Sequence, residues 1–420
     1  VDAGIIEHPD LEGRVVEGYD FVSTPTFSAD GDGRDADPTD PGDRARNSGL
    51  SLWHGTHVSA IIAGRTDDGF GCTGVAPDCR VMMLRALGVG GGLVSDAAAA
   101  ILFAAGLHTT ADGRRLPGPV RVVNLSIGLD QDSADLRDAC ERASNRGVFL
   151  VAAVGNNGGA VQYPARYPST FAVAAVDGKL LTTGYSSFGD AVDIAAPGGG
   201  TTVDQWNDGW HDGILSAMRD ETVDPAGDGH GYIVGTSQAT PHVAGAAALM
   251  LSVDPTLSRQ DIGTILRGTA LDLGLPGDDL AYGSGLLQVH EAIKAVMART
   301  GNPRTDAPYL MVPTNSIQFE GLRTSIDVPL FNGGGGEANV FLAFGVTDDG
   351  ADWLGANLVL AEGPRVPVNH SRVTIEVDRS QLPSTPGRYS GTVHLADALG
   401  TLQTIRVTTY VGERTRAGQI

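Results

Sequence analysis

In residues 1–300 the apolar positions follow two patterns, short and nearly continuous runs and longer segments with helical spacing. Between short apolar runs, alanine-rich segments such as 94–107 and 133–147 have helical spacing, and the second has Ser133 as an N-cap and Gly147 just past its end. Nearly continuous apolar strands that alternate with helices indicate a parallel sheet covered on both faces, and therefore an α/β fold. The runs that predict strands, rich in β-branched and apolar residues, are 79–87, 120–128, 148–155, 171–176 and 192–198.

The pattern changes near residue 301. Residues 301–309 are turn-forming and polar, which is typical of a linker. From 310 to 412 the helical spacing disappears, and short alternating segments are separated by clusters of Gly, Pro and Asn. This region predicts a small all-β sandwich, followed by a tail at 413–420.

Charge and hydropathy exclude several classes of partner. The formal net charge of the 420-residue chain is −21, which argues against nucleic acid or an anionic membrane surface. Apolar runs such as 244–253 are too short to cross a bilayer. The sequence opens on VDAGIIEHPDL, without an initiator methionine or a signal peptide, so we expect that processing or an incomplete sequence has removed what came before.

Three cysteines leave an odd number. Cys72 and Cys79 are close enough in sequence for a small disulfide loop, and no spacing of Cys and His suggests zinc or redox chemistry. We expect a Cys72–Cys79 bridge, with three buried thiols, including Cys140, as the alternative.

Ser237 and His54 are candidates for a nucleophile and its base. Ser237 precedes a helix-forming segment of small residues, where a helix N-terminus favours a developing oxyanion, although a serine there can also be only an N-cap. A serine hydroxyl is a weak nucleophile and needs a base. His54, in WHGTHVSAIIAG, is the candidate base, whereas His57 is expected to be structural because the HExxH pattern of a metal site is absent.

Asp2 and Asn156 are candidates for the supporting roles. A carboxylate must hold the imidazole base in the correct tautomer, and Asp2 stands where a strand would end and a glycine-bearing loop begin. The alternative for Asp2 is an ordinary turn residue, but the order acid, base, nucleophile along the chain favours the catalytic interpretation. Asn156 follows a buried strand and could donate its amide to the tetrahedral oxygen, with a β-turn role as the alternative.

Five segments together resemble the signature segments of the subtilisin-like serine peptidases. They are VDAGIIEHPDL, HGTHVSAIIAG, VVNLSIG, AAVGNNGG and GTSQATPHVAGAAAL, in this order along the chain. The resemblance implies a subtilisin-like fold for residues 1–300, and it places the family's first sheet strand upstream of Asp2, outside this sequence. The sequence departs from the family pattern at Gln238, where methionine is usual.

The resemblance also implies roles for individual residues. Asp2, His54 and Ser237 would form the triad, with Asn156 as the oxyanion donor. Tyr167–Pro168 would correspond to a cis-proline bond of the family. The expected substrate-binding strand edge is Ser126, Ile127 and Gly128, and the expected S1 pocket wall is Ala153, Val154 and Gly155.

An insertion at 28–44 is rich in aspartate. Closely spaced Asp and Gly residues supply carboxylates and tight turns to a hard cation, although the glutamate and helices of an EF-hand are missing. The segment is similar to the acidic calcium loop of larger extracellular subtilases of Gram-negative bacteria, and a solvated acidic loop is the alternative. The expected calcium ligands are Asp30, Asp32, Asp35 and Asp37.

The sequence therefore predicts a secreted serine endopeptidase that acts on proteins or peptides, with structural calcium and without nucleic acid or membrane partners. We expect a monomer. Two other hypotheses remain: a catalytically silent binding protein of the same fold, and a surface- or carbohydrate-binding role of the C-terminal domain. For the latter, Trp353 would be an exposed platform, although a single tryptophan is more often a core residue.

Overall fold

The computed structural model divides the chain into two units, residues 1–300 and 301–420. The linker and tail predicted at 301–309 and 413–420 lie outside the described residues. The structure describes residues 1–42, 51–200, 212–222, 226–300, 310–311, 316–319, 324–329, 331–332, 340–359, 372–385, 387–397 and 402–411.

The N-terminal unit contains a parallel sheet with helices on both faces. Four strands are hydrogen-bonded in the order β3-β4-β5-β6, and β1 and β2 form a second parallel pair. The strands of this unit are β1 Val15–Asp20, β2 Val81–Arg85, β3 Val122–Leu125, β4 Phe149–Ala153, β5 Phe171–Val176, β6 Ile194–Pro197, β7 Ile214–Asp220 and β8 Gly227–Ile233. Its helices are α1 Pro25–Ser28, α2 His54–Ala63, α3 Val94–Ala104, α4 Ala134–Asn145, α5 Thr236–Val253, α6 Arg259–Gly268 and α7 Val289–Arg299, with a 3-10 turn at Pro9–Leu11.

The predicted α/β fold is confirmed. All five strands expected from apolar runs are present within the predicted ranges, and so are the two alanine-rich helices. Helix α4 begins after Ser133, whose side chain accepts the Leu136 N–H, and it ends before Gly147, whose φ is +87°. The two largest apolar cores of the described part of this unit contain side chains of α3 and α4 in one and of α5, α6 and α7 in the other.

The first residues of the chain connect the two parallel sheets. The Val1 amino group donates to the Asn124 carbonyl of β3 at 2.9 Å, and the Asp2 N–H donates to the Leu84 carbonyl of β2 at 3.2 Å. Asp2 is thereby positioned beside the carboxyl end of β2.

The strands β1, β7 and β8 were not predicted from the sequence. β7 and β8 form an antiparallel hairpin, and β8 has the sequence GDGHGYI, which has few of the apolar residues that mark a strand. Its pairing with β7 therefore depends on the tertiary structure and not on local propensity.

The C-terminal unit is a β domain. Its strands are β9 Leu310–Met311, β10 Ser316–Phe319, β11 Ser325–Pro329, β12 Phe331–Asn332, β13 Val340–Thr347, β14 Leu354–Val359, β15 Arg372–Val377, β16 Gly387–Asp397 and β17 Leu402–Val411. The two larger sheets have the strand orders β10-β17-β16-β13 and β11-β15-β14, and both contribute side chains to one apolar core. Trp353 is fully buried in this core and donates its indole N–H to Asp349 at 3.2 Å. It is a core residue and not an exposed platform.

Two expectations about the N-terminal unit are wrong. Cys72 and Cys79 are both free thiols, as is Cys140. Sequence proximity does not ensure the side-chain approach that a disulfide needs: the Cys72 backbone is bound to Asp10, whereas Cys79 closes a separate turn onto Ala76. Burial raises the pKa of Cys72 to about 12 and that of Cys79 to about 11, so both remain protonated thiols at neutral pH.

The cis peptide bond is Tyr163–Pro164 and not Tyr167–Pro168. Tyr163 exchanges two backbone hydrogen bonds with Leu129, at 2.8 and 2.9 Å, immediately before the proline. Tyr167 is instead a buried side chain whose hydroxyl accepts the Ser133 N–H. Two Tyr-Pro pairs stand four residues apart, and the sequence alone did not distinguish them.

A buried arginine at the end of β2 ties together several loops of this unit. Arg85 is 1% exposed and pairs with the buried Asp20 at 2.5 Å. It also pairs with Asp30 and donates to the carbonyls of Ser28 and Ala3. Because one guanidinium satisfies all these groups, the loop after Asp2 and the acidic segment depend on it.

We predict that Arg85→Met lowers the free energy of unfolding of the N-terminal unit by about 3–5 kcal/mol, because it leaves the Asp20 carboxylate buried without its partner. The control is Arg14→Met, which removes an ion pair to Asp78, a residue whose side chain is 93% exposed. This control should cost less than about 1 kcal/mol. Urea unfolding followed by tryptophan fluorescence measures both, and equal effects of the two substitutions would contradict the role of Arg85.

Candidate active site

Asp2 is held at the carboxyl end of β2 by its main chain. Its carbonyl accepts the Ala86 N–H at 2.8 Å, and its side chain is almost fully buried. Gly4 follows with φ +115°, and a Cβ there would lie 2.9 Å from the backbone of Asp40. The turn after Asp2 therefore requires glycine, and it directs the carboxylate toward helix α2.

The Asp2 carboxylate is hydrogen-bonded to His54. His54 is the first residue of α2, and its Nδ1 lies 2.6 Å from the Asp2 Oδ1, which also accepts the Ala3 N–H at 2.8 Å. A Cβ on Gly55 would lie 2.0 Å from the Gly4 carbonyl, so only glycine lets α2 start this close to the Asp2 loop. Because a carboxylate accepts, Nδ1 carries the hydrogen and the Nε2 lone pair is left to act as a base.

Ser237 is the second residue of α5, and its main chain is joined to the segment after β3. Its carbonyl accepts the Ser126 hydroxyl at 2.8 Å, and the Ser126 hydroxyl in turn accepts the Asn124 amide at 2.9 Å. The Ser237 Oγ lies 3.5 Å from the Ser126 carbonyl. Helices α2 and α5 pack against each other, so the first turns that carry His54 and Ser237 belong to two contacting helices.

Asn156 follows β4 and is oriented by the start of α5. Its Oδ1 accepts both the backbone N–H and the hydroxyl of Thr236, each at 2.9 Å. The Thr236 hydroxyl is also 3.3 Å from the Gly155 N–H. With Oδ1 fixed on Thr236, the Nδ2 end of the amide is the end that can donate to a bound ligand. Thr236 was not predicted from the sequence, although a hydroxyl directly before a candidate nucleophile at a helix start is a usable signal.

The expected substrate-binding segments leave neighbouring strands of the sheet. Leu125 of β3 pairs with Ala152 of β4, so residues 126–128 and 153–155 extend from the same edge. Gly155 has φ +106°. Ser126, Ile127, Ala153 and Val154 are buried, whereas Gly128 is exposed. The Val154 side chain packs in the apolar core, so its contribution to a cleft wall is made by its main chain.

A profile of the subtilase (peptidase S8) family matches residues 1–285. The chain belongs to the subtilase family. An extracellular protease of Xanthomonas campestris pv. campestris is 35% identical over 310 residues, which are 71% of this chain and 51% of that protein. An extracellular basic protease of Dichelobacter nodosus is 30% identical over 412 residues, which are 88% of this chain and 64% of that protein. The chain thus spans about half the length of the Xanthomonas relative and about two thirds of the length of the Dichelobacter relative.

The fold also resembles that of a solved protease. A solved protease structure from Pseudoalteromonas arctica superposes with a TM-score of 0.63 at 34% sequence identity. The match covers 70% of this chain and 88% of that chain. The fold of the matched part of this subtilase is therefore shared with that protease.

His57 has a structural position in this subtilase. It is fully buried, and its Nε2 lies 3.0 Å from the Ile214 carbonyl and 3.2 Å from the Gly231 carbonyl. It therefore joins α2 to both strands of the β7–β8 hairpin. Burial lowers the pKa of His57 to about 4, so the imidazole is neutral at neutral pH.

A set of polar contacts around the buried Asp10 and His8 joins the same hairpin to the segment after Asp2. Asp10 accepts the His230 Nε2–H at 2.9 Å and the Cys72 N–H at 3.0 Å through the same oxygen. His8 donates from Nε2 to the Gly229 carbonyl at 3.0 Å, while its Nδ1 accepts the Asp10 N–H at 3.2 Å. Within the described ranges, His8, Asp10 and His230 form the one group of three His, Cys, Asp or Glu side chains whose possible metal-binding atoms lie within 4.8 Å of one another. These residues were not predicted from the sequence.

The four aspartates proposed for calcium lie in the acidic segment, but their surroundings differ. Asp30 pairs with Arg85, and its other oxygen accepts the Ser28 hydroxyl at 2.6 Å. Asp35 and Asp37 each accept a backbone N–H two residues further on. Desolvation and the charges of Asp35, Asp30 and Asp37 raise the pKa of Asp32 above its usual range. Asp30, Asp32, Asp35 and Asp37, all in the described part of the chain, include no three carboxylates whose oxygens lie within 4.8 Å of one another.

We predict that His57 makes this subtilase less stable in mild acid. Its folded pKa of about 4 lies below the model-peptide value of 6.5, so unfolding takes up a proton between these pH values. The free energy of unfolding should therefore fall as the pH is lowered from 6.5 to 4, and a pKa difference of this size corresponds to about 3 kcal/mol.

Urea unfolding at pH 7 and pH 4 measures this contribution, in a Ser237→Ala background that prevents self-digestion. In His57→Gln the acid-induced loss should be smaller by about 3 kcal/mol, since glutamine does not titrate. His394→Gln is the control and should behave like the parent. An unchanged loss in His57→Gln would refute the assignment.

Proposed function

We propose that this subtilase is a secreted serine endopeptidase that hydrolyses peptide bonds through an acyl-enzyme. The observation that carries the proposal is the 2.6 Å hydrogen bond between Asp2 and His54, formed beside the helix that presents Ser237. A buried carboxylate on Nδ1 of a histidine near a serine at a helix start is the arrangement that activates a serine nucleophile. The names of the relatives from Xanthomonas and Dichelobacter support an extracellular location.

In the proposed reaction, the Ser237 Oγ attacks the scissile carbonyl carbon while the His54 Nε2 takes the hydroxyl proton. The C–N bond then breaks, and His54 returns the proton to the leaving amine. Water attacks the acyl-enzyme with the same base and releases the acid product and free Ser237. Asp2 keeps His54 in the correct tautomer and stabilises the imidazolium.

Asn156 and the Ser237 N–H would bind the oxyanion. The Ser237 N–H lies in the first turn of α5, where backbone N–H groups have no intrahelical acceptor, and the helix dipole favours negative charge there. The Thr236 contacts hold the Asn156 amide before the charge develops, so little reorganisation is needed in the transition state.

The substrate would add as an extended strand along Ser126, Ile127 and Gly128. Main-chain hydrogen bonds to such an edge bind many sequences, which suits protein and peptide substrates in general. The segment Ala153, Val154 and Gly155 would form the facing wall of the S1 pocket, which receives the side chain of the residue whose carbonyl is attacked (P1). We expect the enzyme to act as a monomer. Among the described residues, no helix is both long and apolar enough to span a membrane.

The two other hypotheses have less support. Burial of Trp353 removes the observation that would have favoured a carbohydrate platform in the C-terminal unit. A silent binding protein would not need the Asp2–His54 bond or the orientation of Asn156 by Thr236.

We also propose a structural calcium ion at the acidic segment. Carboxylate oxygens suit calcium. Desolvation and the negative charges of Asp35, Asp30 and Asp37 raise the pKa of Asp32, and a bound cation would offset those charges. Asp32, Asp35 and Asp37 would have to draw closer together to share an ion, since no three of the acidic-segment carboxylates lie within 4.8 Å of one another, and the ion pair with Arg85 makes Asp30 the least suitable of the four. Bound calcium would fix the loop and take no part in the chemistry.

We expect that the chain reacts with a fluorophosphonate probe at Ser237 and that Ser237→Ala abolishes both labelling and all but trace hydrolysis. Asn156→Ala should retain labelling capacity but lower kcat about 10²–10³-fold, because one oxyanion donor is lost. That factor is the one measured for the oxyanion asparagine of a subtilisin, a member of the same family. Peptide hydrolysis by Ser237→Ala at the parent rate would overturn the proposal.

For the calcium site, we expect calorimetric titration of the Ser237→Ala chain with Ca²⁺ to show binding that is lost in an Asp32→Asn, Asp35→Asn, Asp37→Asn variant, because amides remove the charge. The control neutralises three exposed carboxylates of α4, Asp135, Asp138 and Glu141, and has the same net charge. Equal calcium binding by both variants would show that the acidic segment is only a solvated loop.

A further inference from the structure

The side chain of Gln162 lies between the two segments that we propose as walls of the substrate cleft. A Cβ placed on Gly155 would lie 2.1 Å from the Gln162 Oε1, and a Cβ placed on Gly128 would lie 2.6 Å from the same atom. One amide oxygen therefore lies against both glycines, one on each wall. The space that these two glycines leave open is filled by Gln162.

Gln162 is fixed at its main chain and at its amide. Its backbone N–H donates to the Val154 carbonyl at 2.8 Å, which places it directly on one wall. The next residue, Tyr163, pairs with Leu129, the residue after Gly128 on the other wall. The Gln162 Nε2 donates to the Asp130 carboxylate at 2.6 Å, a charge-assisted bond that keeps the amide across the cleft.

This position has a consequence for the size of the P1 side chain. A substrate strand along residues 126–128 would direct its P1 side chain between the two walls, into the space that the Gln162 amide occupies. A large apolar side chain would have to displace the amide and break its bond to Asp130, or be buried against a polar carbonyl. A side chain the size of alanine or serine needs neither.

We propose that Gln162 is the specificity-determining residue of this cleft and that it restricts P1 to small side chains such as those of glycine, alanine and serine. The proposal rests on the endopeptidase function proposed above. Gln162 touches no reacting atom in this scheme, and it acts by filling volume.

The test is the ratio of kcat/KM for chromogenic peptides that differ only at P1, with alanine, serine, leucine or phenylalanine. The parent enzyme should prefer alanine over phenylalanine. Gln162→Ala should raise the ratio of phenylalanine to alanine by at least about 10-fold, because the pocket gains the volume of several heavy atoms. Gln162→Met should keep the parent preference, since it fills a similar volume without bonding to Asp130. Gln260→Ala, on the exposed surface of α6, is the control.

Two outcomes would overturn the proposal. An unchanged profile in Gln162→Ala would show that the amide swings out of the cleft when substrate binds. A profile of Gln162→Met that matches Gln162→Ala would show that the bond to Asp130, and not volume, sets the preference. Fluorophosphonate labelling of Ser237 measures the fraction of each variant in which this serine is reactive. A parent chain that is neither labelled nor active would refute the proposed function itself, whereas labelled and active variants with equal profiles refute only the role of Gln162.

Discussion

The candidate site depends on the parallel alignment of strands, which brings their carboxyl ends to one edge of the structure. Asp2 lies beside the end of β2, Ser126 directly follows β3, and Asn156 lies just beyond β4. Ligands of open α/β sheets bind at this edge because loops and helix starts converge there. The starts of α2 and α5 then add the proposed base, His54, and the proposed nucleophile, Ser237.

Close backbone contacts and buried polar groups hold this arrangement to a single geometry. Gly55 lets α2 touch the loop after Asp2, which is what brings the His54 ring within hydrogen-bonding distance of the carboxylate. Arg85 satisfies the groups that the same loop buries, and His57 anchors α2 to the hairpin. The same packing that fixes the two proposed walls of the cleft also fixes Gln162 between them, so the proposed catalysis and selectivity would depend on one set of contacts.

Much of the fold was predictable from the sequence, and so were the residues of the candidate site. The α/β alternation, the five apolar strands and the caps of α4 follow from local periodicity and cap chemistry. The four expected catalytic residues stand in distinctive local segments, and the structure places Asp2 on His54, Ser237 at a helix start and Asn156 on Thr236. The hairpin β7–β8 was not predicted because its glycine-rich strand has few of the apolar residues that mark a strand. The proposed role of Gln162 was not predicted because a single glutamine belongs to no recognised motif.

The sequence by itself determined the apolar strands, the two alanine-rich helices and the residues that are candidates for catalysis, because these depend on neighbours within about one helical turn or one strand. Only the tertiary structure decided which of these residues meet. It left Cys72 and Cys79 as free thiols, joined Asp30 to Arg85 and placed Gln162 across the cleft. Such contacts join residues tens of positions apart, or depend on how a short loop closes. They are selected by packing and by the need to pair buried polar groups, which no local pattern encodes.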